Sequence, residues 1–147
     1  MLSKSAEYAI RALVYVWLQN LEGKRPGYRE IAKEIDSPEQ FTAKIMQTLT
    51  RFRLVYSAKG RGGGFYFDSP AGNLTIYQVI QAIDGEKFFT HCAFGFKSCS
   101  ETNPCPLHGE FAQIRNNFEK MVHRETIQSL AEKILAGEAF MNRKMEQ

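Results

Sequence analysis

The sequence predicts a mainly α fold with one small β-hairpin, and three observations carry that prediction. Apolar residues recur at spacings of three and four in several separate stretches. Helix-start signals precede three of those stretches, at Ser37, Thr75 and Thr126. One stretch alone, LVYSAKGRGGGFYFDS, reads as strand, glycine-rich turn and strand.

The first helix is expected from Ser3 to Asn20, with Tyr8, Ala9, Ala12, Leu13, Val16 and Trp17 at helical spacing. Its apolar residues are interrupted by Glu7, Arg11 and Gln19, and no small-residue cleavage pattern follows. A mature amphipathic helix therefore fits better than a signal peptide, and a cytoplasmic location is expected. Two glycines and Pro26 break the pattern between Leu21 and Gly27. A short helix follows over Arg29 to Ile35, with Ile31, Ala32 and Ile35 inward. The next stretch, DSPEQFTAKIMQTLTRF, places Ser37 as N-cap, Pro38 at the first helical position and Gln40 three after the cap. Phe41, Ile45, Leu49 and Phe52 are its expected buried stripe. Thr75 opens a further helix through Ile83 with a T-I-Y-Q capping box. Asp84 to Pro106 has no sustained period and reads as a loop. From Leu107 onward Phe111, Ile114, Phe118, Met121 and Val122 recur at three and four. A last helix, capped by Thr126, carries Ile127, Leu130, Ile134 and Leu135, and the end, MNRKMEQ, is expected to fray.

Two short helices joined by a tight turn are the helix-turn-helix pattern, and a hairpin directly after them is a wing. The 147 residues divide accordingly into a winged helix-turn-helix DNA-binding domain (1–84), a ligand loop (85–106) and a dimerisation helix with the C-terminal helix (107–147). Composition agrees with a compact chain that folds without metal or disulfide: 44% of residues are hydrophobic and 24% charged. No apolar run approaches the ~18 residues of a membrane helix. The net charge of +3 is unevenly spread. From Gln40 to Phe67 there are five basic residues and no acidic one, which suits a polyanion.

With the stripe facing inward, Gln40, Ala43, Lys44, Gln47 and Arg51 project outward as a reading head. Gln can bond an adenine edge, and Lys or Arg a guanine or a phosphate. In the wing, Gly60 and Gly62 allow positive φ and a close backbone approach, while Lys59 and Arg61 suit a minor groove or phosphates. The run GRGGG lacks the GK[ST] ending of a nucleotide loop.

The loop CAFGFKSCSETNPCPLH holds all three cysteines, spaced C-x6-C-x5-C-x2-H. An odd count excludes a fully paired disulfide framework within one chain. The polar residues around the thiols argue against buried structural cysteines and for a metal site at Cys92, Cys99, Cys105 and His108. Spacing alone leaves zinc and iron tied. Cys105 and His108 could also form a nucleophile pair, but no orienting group or substrate pocket accompanies them, so no enzyme is expected.

The K-x-x-E-Y-A-I start, the helix-turn-helix, the K-G-R-G-G-G-F wing and the three loop cysteines ending in C-x-x-H resemble the IscR and NsrR family of bacterial regulators. The likeness runs from Met1 to about Leu135. It implies a homodimeric transcription factor, expected to be a repressor, that binds an operator in double-stranded DNA under control of an iron–sulfur cluster. The signal would be iron–sulfur status, nitric oxide or redox state. It implies Cys92, Cys99 and Cys105 as cluster ligands, in a cluster of 2Fe–2S or 4Fe–4S type that oxygen readily removes. The fourth ligand would be His108 in one branch of the family, or Glu7 from across the dimer in the other. The first cysteine gap is one residue longer than in many relatives, and Ala43 stands where some carry an acid. The alternative is a winged-helix regulator with structural zinc or no metal, responding through its thiols or a partner protein.

Overall fold

The computed structural model describes residues 2–68 and 73–142. Among them the chain forms α1 (Lys4–Leu21), α2 (Tyr28–Glu34), α3 (Glu39–Arg51), β1 (Tyr56–Ala58), β2 (Gly64–Tyr66), α4 (Ile76–Asp84), α5 (Lys87–Thr90), α6 (His108–Arg124) and α7 (Ile127–Leu135).

The core is built around α1. Its N-cap Ser3 accepts from the Ala6 amide at 3.0 Å and donates to the Asp84 carboxylate at 2.5 Å, fastening the start of α1 to the end of α4. Ala6, Ala9 and Ala12 are fully buried beside Leu13 and Val16. Small side chains at these positions let α3, α4 and α7 approach α1 closely. Several helices end in a Schellman arrangement. After α3, for example, the Leu54 amide reaches the Leu49 carbonyl at 3.0 Å and the Arg53 amide reaches Thr50 at 2.9 Å.

Two expectations for α3 need correction. The N-cap is Pro38, with no side-chain cap bond, because the Ser37 hydroxyl instead meets the Thr42 hydroxyl. The buried stripe is Thr42, Ile45, Met46 and Leu49 rather than Phe41, Ile45, Leu49 and Phe52. Thr42 tolerates burial because its hydroxyl donates to the Pro38 carbonyl at 2.9 Å. Phe52 lies beyond the last helical residue and is 52% exposed. Phe41 is half-buried, edge-on to Tyr8.

β1 and β2 pair antiparallel, with Tyr56 opposite Tyr66, Ser57 opposite Phe65 and Ala58 opposite Gly64. The hairpin is fixed to the α1–α2 connection. The Phe65 amide donates to the Pro26 carbonyl at 2.8 Å. The Asn20 side-chain amide donates to the Phe65 carbonyl at 3.3 Å and accepts from the Phe67 amide at 2.9 Å. Gly64 has φ 145°, and a Cβ there would lie 2.1 Å from the Arg25 carbonyl oxygen. Glycine is the residue that permits this approach.

α4 has the expected capping box, Thr75 with Gln78, and α7 has one between Thr126 and Ser129. The two N-termini meet in an antiparallel bridge, Thr75 to Thr126, flanked by bonds from Ile76 to Glu125 and from Ile127 to Leu74. Through this junction α7 returns to α1 and buries Ile127 and Ala131 there. The segment expected as pure loop contains the single-turn α5. Of the expected frayed end, Met141 and Asn142 are described, and 143–147 lie outside the described residues. No helix among the described residues is long and apolar enough to cross a membrane.

Candidate functional site

The first candidate surface lies between α3 and the hairpin. Gln40, Lys44, Gln47 and Arg51 are exposed on α3, and Ala43 is half-buried. A groove joins Gln47 and Arg51 of α3 to Ser57, Lys59 and Phe65 of the hairpin, with Tyr28 of α2 at its side. The turn beyond it holds Gly60 at φ 89° and Gly62 at φ 78°, with Lys59, Gly60, Arg61 and Gly62 all exposed. Helix side chains and wing cations thus share one basic, concave face. Tyr28 was not singled out by the sequence, because its place on the groove depends on how α2 crosses α3. Arg25 was not singled out either. Its guanidinium carbon sits 4.1 Å over the Tyr66 ring, a partner distant in the chain.

The second candidate is the loop between α4 and α6. Cys92 is 2% exposed, while Cys99, Cys105 and His108 are half-buried. His108 begins α6, and its Nδ1 lies 3.1 Å from the Cys99 sulfur. The Cys105 thiol lies on the Cys92 side of the loop, near enough to favour the Cys92 thiolate. Burial pushes the Cys92 thiol up, but the backbone amides of Phe94, Phe96 and Gly95, together with Cys105, outweigh it. The net effect holds its pKa below the ordinary thiol value. The loop is pinned by the Cys99 amide donating to Thr90 at 3.0 Å and the His108 amide to Cys105 at 3.0 Å. Among the described residues no three Cys, His, Asp or Glu side chains converge on a single ion position. The donors stand as two pairs, Cys99 with His108 and Cys92 with Cys105. Three thiols and an imidazole are the donor chemistry of a thiophilic metal group, and these residues fit one. Glu7 lies elsewhere, half-buried in the first turn of α1 and ion-paired with Lys4 at 3.4 Å.

α6 leads away from this loop and is only partly covered, Phe118 and Val122 packing on the core. Val122 is its sole buried residue among those described, whereas Ile114 and Met121 are 54% and 40% exposed. It touches α4 through His123, whose ring stacks on Tyr77 at 3.9 Å. Tyr77 in turn donates to Glu86 at 3.3 Å.

Comparison with known proteins agrees with this layout. The chain is 25% identical over 130 residues to the HTH-type transcriptional regulator NsrR of Oceanobacillus iheyensis, covering 88% of each chain. It is 25% identical over 129 residues to the HTH-type transcriptional regulator IscR of Pectobacterium atrosepticum, covering 88% of this chain and 77% of that one. Two solved structures share the fold. CymR, the global cysteine regulator of B. subtilis, has a TM-score of 0.72 at 16% identity, covering 90% of this chain and 96% of that one. The IscR of T. potens has a TM-score of 0.71 at 16% identity, covering 100% and 96%. The two relatives matched in sequence are both transcriptional regulators. A family model described as Rrf2, iron-dependent transcriptional regulator, matches residues 2–133. With its helix-turn-helix, its wing and that match over nearly the whole chain, the protein belongs to the Rrf2 family of transcriptional regulators.

Proposed function

We propose that this regulator is a homodimeric repressor whose grip on its operator is set by an iron–sulfur cluster of 2Fe–2S type. Cys92, Cys99, Cys105 and His108 would hold the cluster. The supporting observation is that the four donors stand as two pairs, with Cys99 and His108 at 3.1 Å. A cluster of two irons takes two protein ligands on each, whereas a structural zinc needs four donors around one point. His108 is favoured over Glu7 as fourth ligand because it already faces Cys99, while Glu7 is engaged with Lys4 on α1. When bound, the cluster supplies iron that reacts with oxidants and nitric oxide.

The rest of the reading concerns the chain's own residues. Gln40, Lys44, Gln47 and Arg51 face the major groove, and Lys59, Gly60, Arg61 and Gly62 the minor groove and its phosphates. Residues 1–84 read DNA, 85–106 hold the cluster and 107–147 join the two protomers through α6. Because His108 is the first residue of α6, the order of the loop bears directly on the start of that helix. α6 bears on α4, and α4 on α3. Two recognition helices must match the spacing of two half-sites, so a small shift in this chain of contacts changes affinity steeply.

The test is purification without oxygen, followed by visible absorption and analysis of iron, sulfide and zinc. A coloured protein with about two irons and two sulfides per chain is expected. His108→Ala should shift the spectrum and shorten cluster lifetime, and Glu7→Ala should not. A colourless protein carrying zinc would sink the cluster reading. So would equal operator affinity of the holo protein and the Cys92→Ala, Cys99→Ala and Cys105→Ala variants.

A further inference from the structure

We propose that Arg25 is a DNA-phosphate contact on the outer face of the wing, a third wing cation beside Lys59 and Arg61. The inference rests on the DNA-binding reading above and adds a residue from outside the helix-turn-helix and the hairpin. Three observations place it. The guanidinium carbon of Arg25 lies 4.1 Å over the Tyr66 ring, which orders a long side chain that is otherwise exposed. The backbone of Arg25 is locked to the hairpin, since its carbonyl abuts Gly64 and the next carbonyl, that of Pro26, accepts from Phe65 at 2.8 Å. Among the described residues no carboxylate pairs with Arg25, whereas its neighbour Lys24 lies 3.9 Å from Glu22.

The face it occupies matters. Side chains alternate along a strand, so Phe65, which lines the groove toward α3, and Tyr66 point to opposite sides of the hairpin. Lys59 lies on the α3 side, in the same groove as Phe65. Arg25, stacked on Tyr66, belongs to the other side. A hairpin tip laid at a minor groove about 6 Å wide has a phosphate strand on each flank. On the flank away from α3, Arg25 is held in place by the Tyr66 ring. A planar, weakly hydrated guanidinium is also the group best matched to a phosphate.

The experiment is equilibrium binding of the full chain to a short duplex of random sequence, followed by fluorescence anisotropy between about 50 and 200 mM salt. Each phosphate contact contributes about 0.9 to the slope of log affinity against log salt. Arg25→Ala should lower the magnitude of that slope by about 0.9, and Arg25→Lys, which keeps the charge, should retain it. Circular dichroism on each variant reports whether the wing's scaffold is intact. An Arg25→Ala slope equal to that of the wild type overturns the proposal. So does an Arg25→Lys slope as low as that of Arg25→Ala, which would mark a structural role instead. A wild-type chain that binds no duplex at any salt overturns the DNA-binding reading itself, and needs no variant to show it.

Discussion

α3 and α6 both carry apolar stripes in the sequence, yet the structure finishes them differently. α3, 13 residues long, buries Thr42, Ile45, Met46 and Leu49 and turns a polar face outward. α6, 17 residues long, buries Val122 and leaves Ile114 and Met121 bare. Leu107, immediately before it, is also exposed, as are Phe94 and Phe96 in the cysteine loop. The half with α3 covers most of its hydrophobic surface within one chain, with Leu21 and Phe52 left exposed. The half that carries the cysteines does not, and an apolar helix face left in water is the kind of surface a second copy covers. The difference is the one that the proposed dimer through α6 calls for, a self-sufficient region beside one that leaves apolar surface to be covered.

The largest effects should fall on either side of that division. Leu49→Ala removes a fully buried side chain from the contact between α3 and the core and should cost about 2–5 kcal/mol in urea unfolding. Ile114→Ala should change the unfolding of dilute monomer by less than about 0.5 kcal/mol, yet weaken self-association in sedimentation equilibrium. If Ile114→Ala destabilised the monomer as much as Leu49→Ala, the two halves would not differ as argued.

A smaller effect tests how the second half is anchored. Thr126→Ala deletes one side of the α7 capping box, in which Thr126 accepts from the Ser129 amide at 2.8 Å and Ser129 accepts from the Thr126 amide at 2.8 Å. A loss of about 1 kcal/mol is expected by thermal unfolding. No change in midpoint would mean that the junction of Thr75 and Thr126 holds α7 without its cap.

The smallest effect is a pH dependence at the same junction. Ser129, and then Lys133, hydrogen-bond to the Glu125 carboxylate and hold its pKa below the usual carboxylate value despite partial burial. A carboxyl with a depressed folded-state pKa stabilises the fold above its unfolded value and loses that contribution as pH falls through the folded value. The stability difference between wild type and Glu125→Gln should therefore be constant near neutrality and shrink once pH drops below the ordinary carboxylate range. A difference that stays flat into acid would remove Glu125 from the account.

How legible the molecule was depended on the distance between cause and effect along the chain. The capping boxes at Thr75 and Thr126 are closed by residues three positions away, and both were visible in the sequence. The hairpin declared itself because strand, glycines and strand are contiguous. The start of α3 was misjudged because Ser37 had a competing partner in Thr42, and propensity cannot choose between two hydroxyl bonds. The stripe slipped because a threonine satisfied through Pro38 took a core position that pattern reading reserves for apolar residues. α5 has one turn and no period to detect. The cysteine loop was legible as a donor set, while its division into two pairs, with His108 turned toward Cys99, is set by the fold. Arg25 escaped notice for a similar reason, since what gives it meaning is a ring on the second strand of the hairpin.

The Asn20 amide that grips Phe65 and Phe67 has a consequence for solubility. A two-stranded ribbon offers two open edges to any neighbouring chain, and unpaired strand edges recruit further strands. In this protein Asn20 and Pro26 occupy the backbone groups of Phe65 and Phe67 on the outer edge of β2. What remains open is β1, three residues long and followed at once by Lys59 and the glycine turn. A regulator must keep its wing extended and accessible to find DNA, and here the extended element leaves little edge on which a second ribbon could grow.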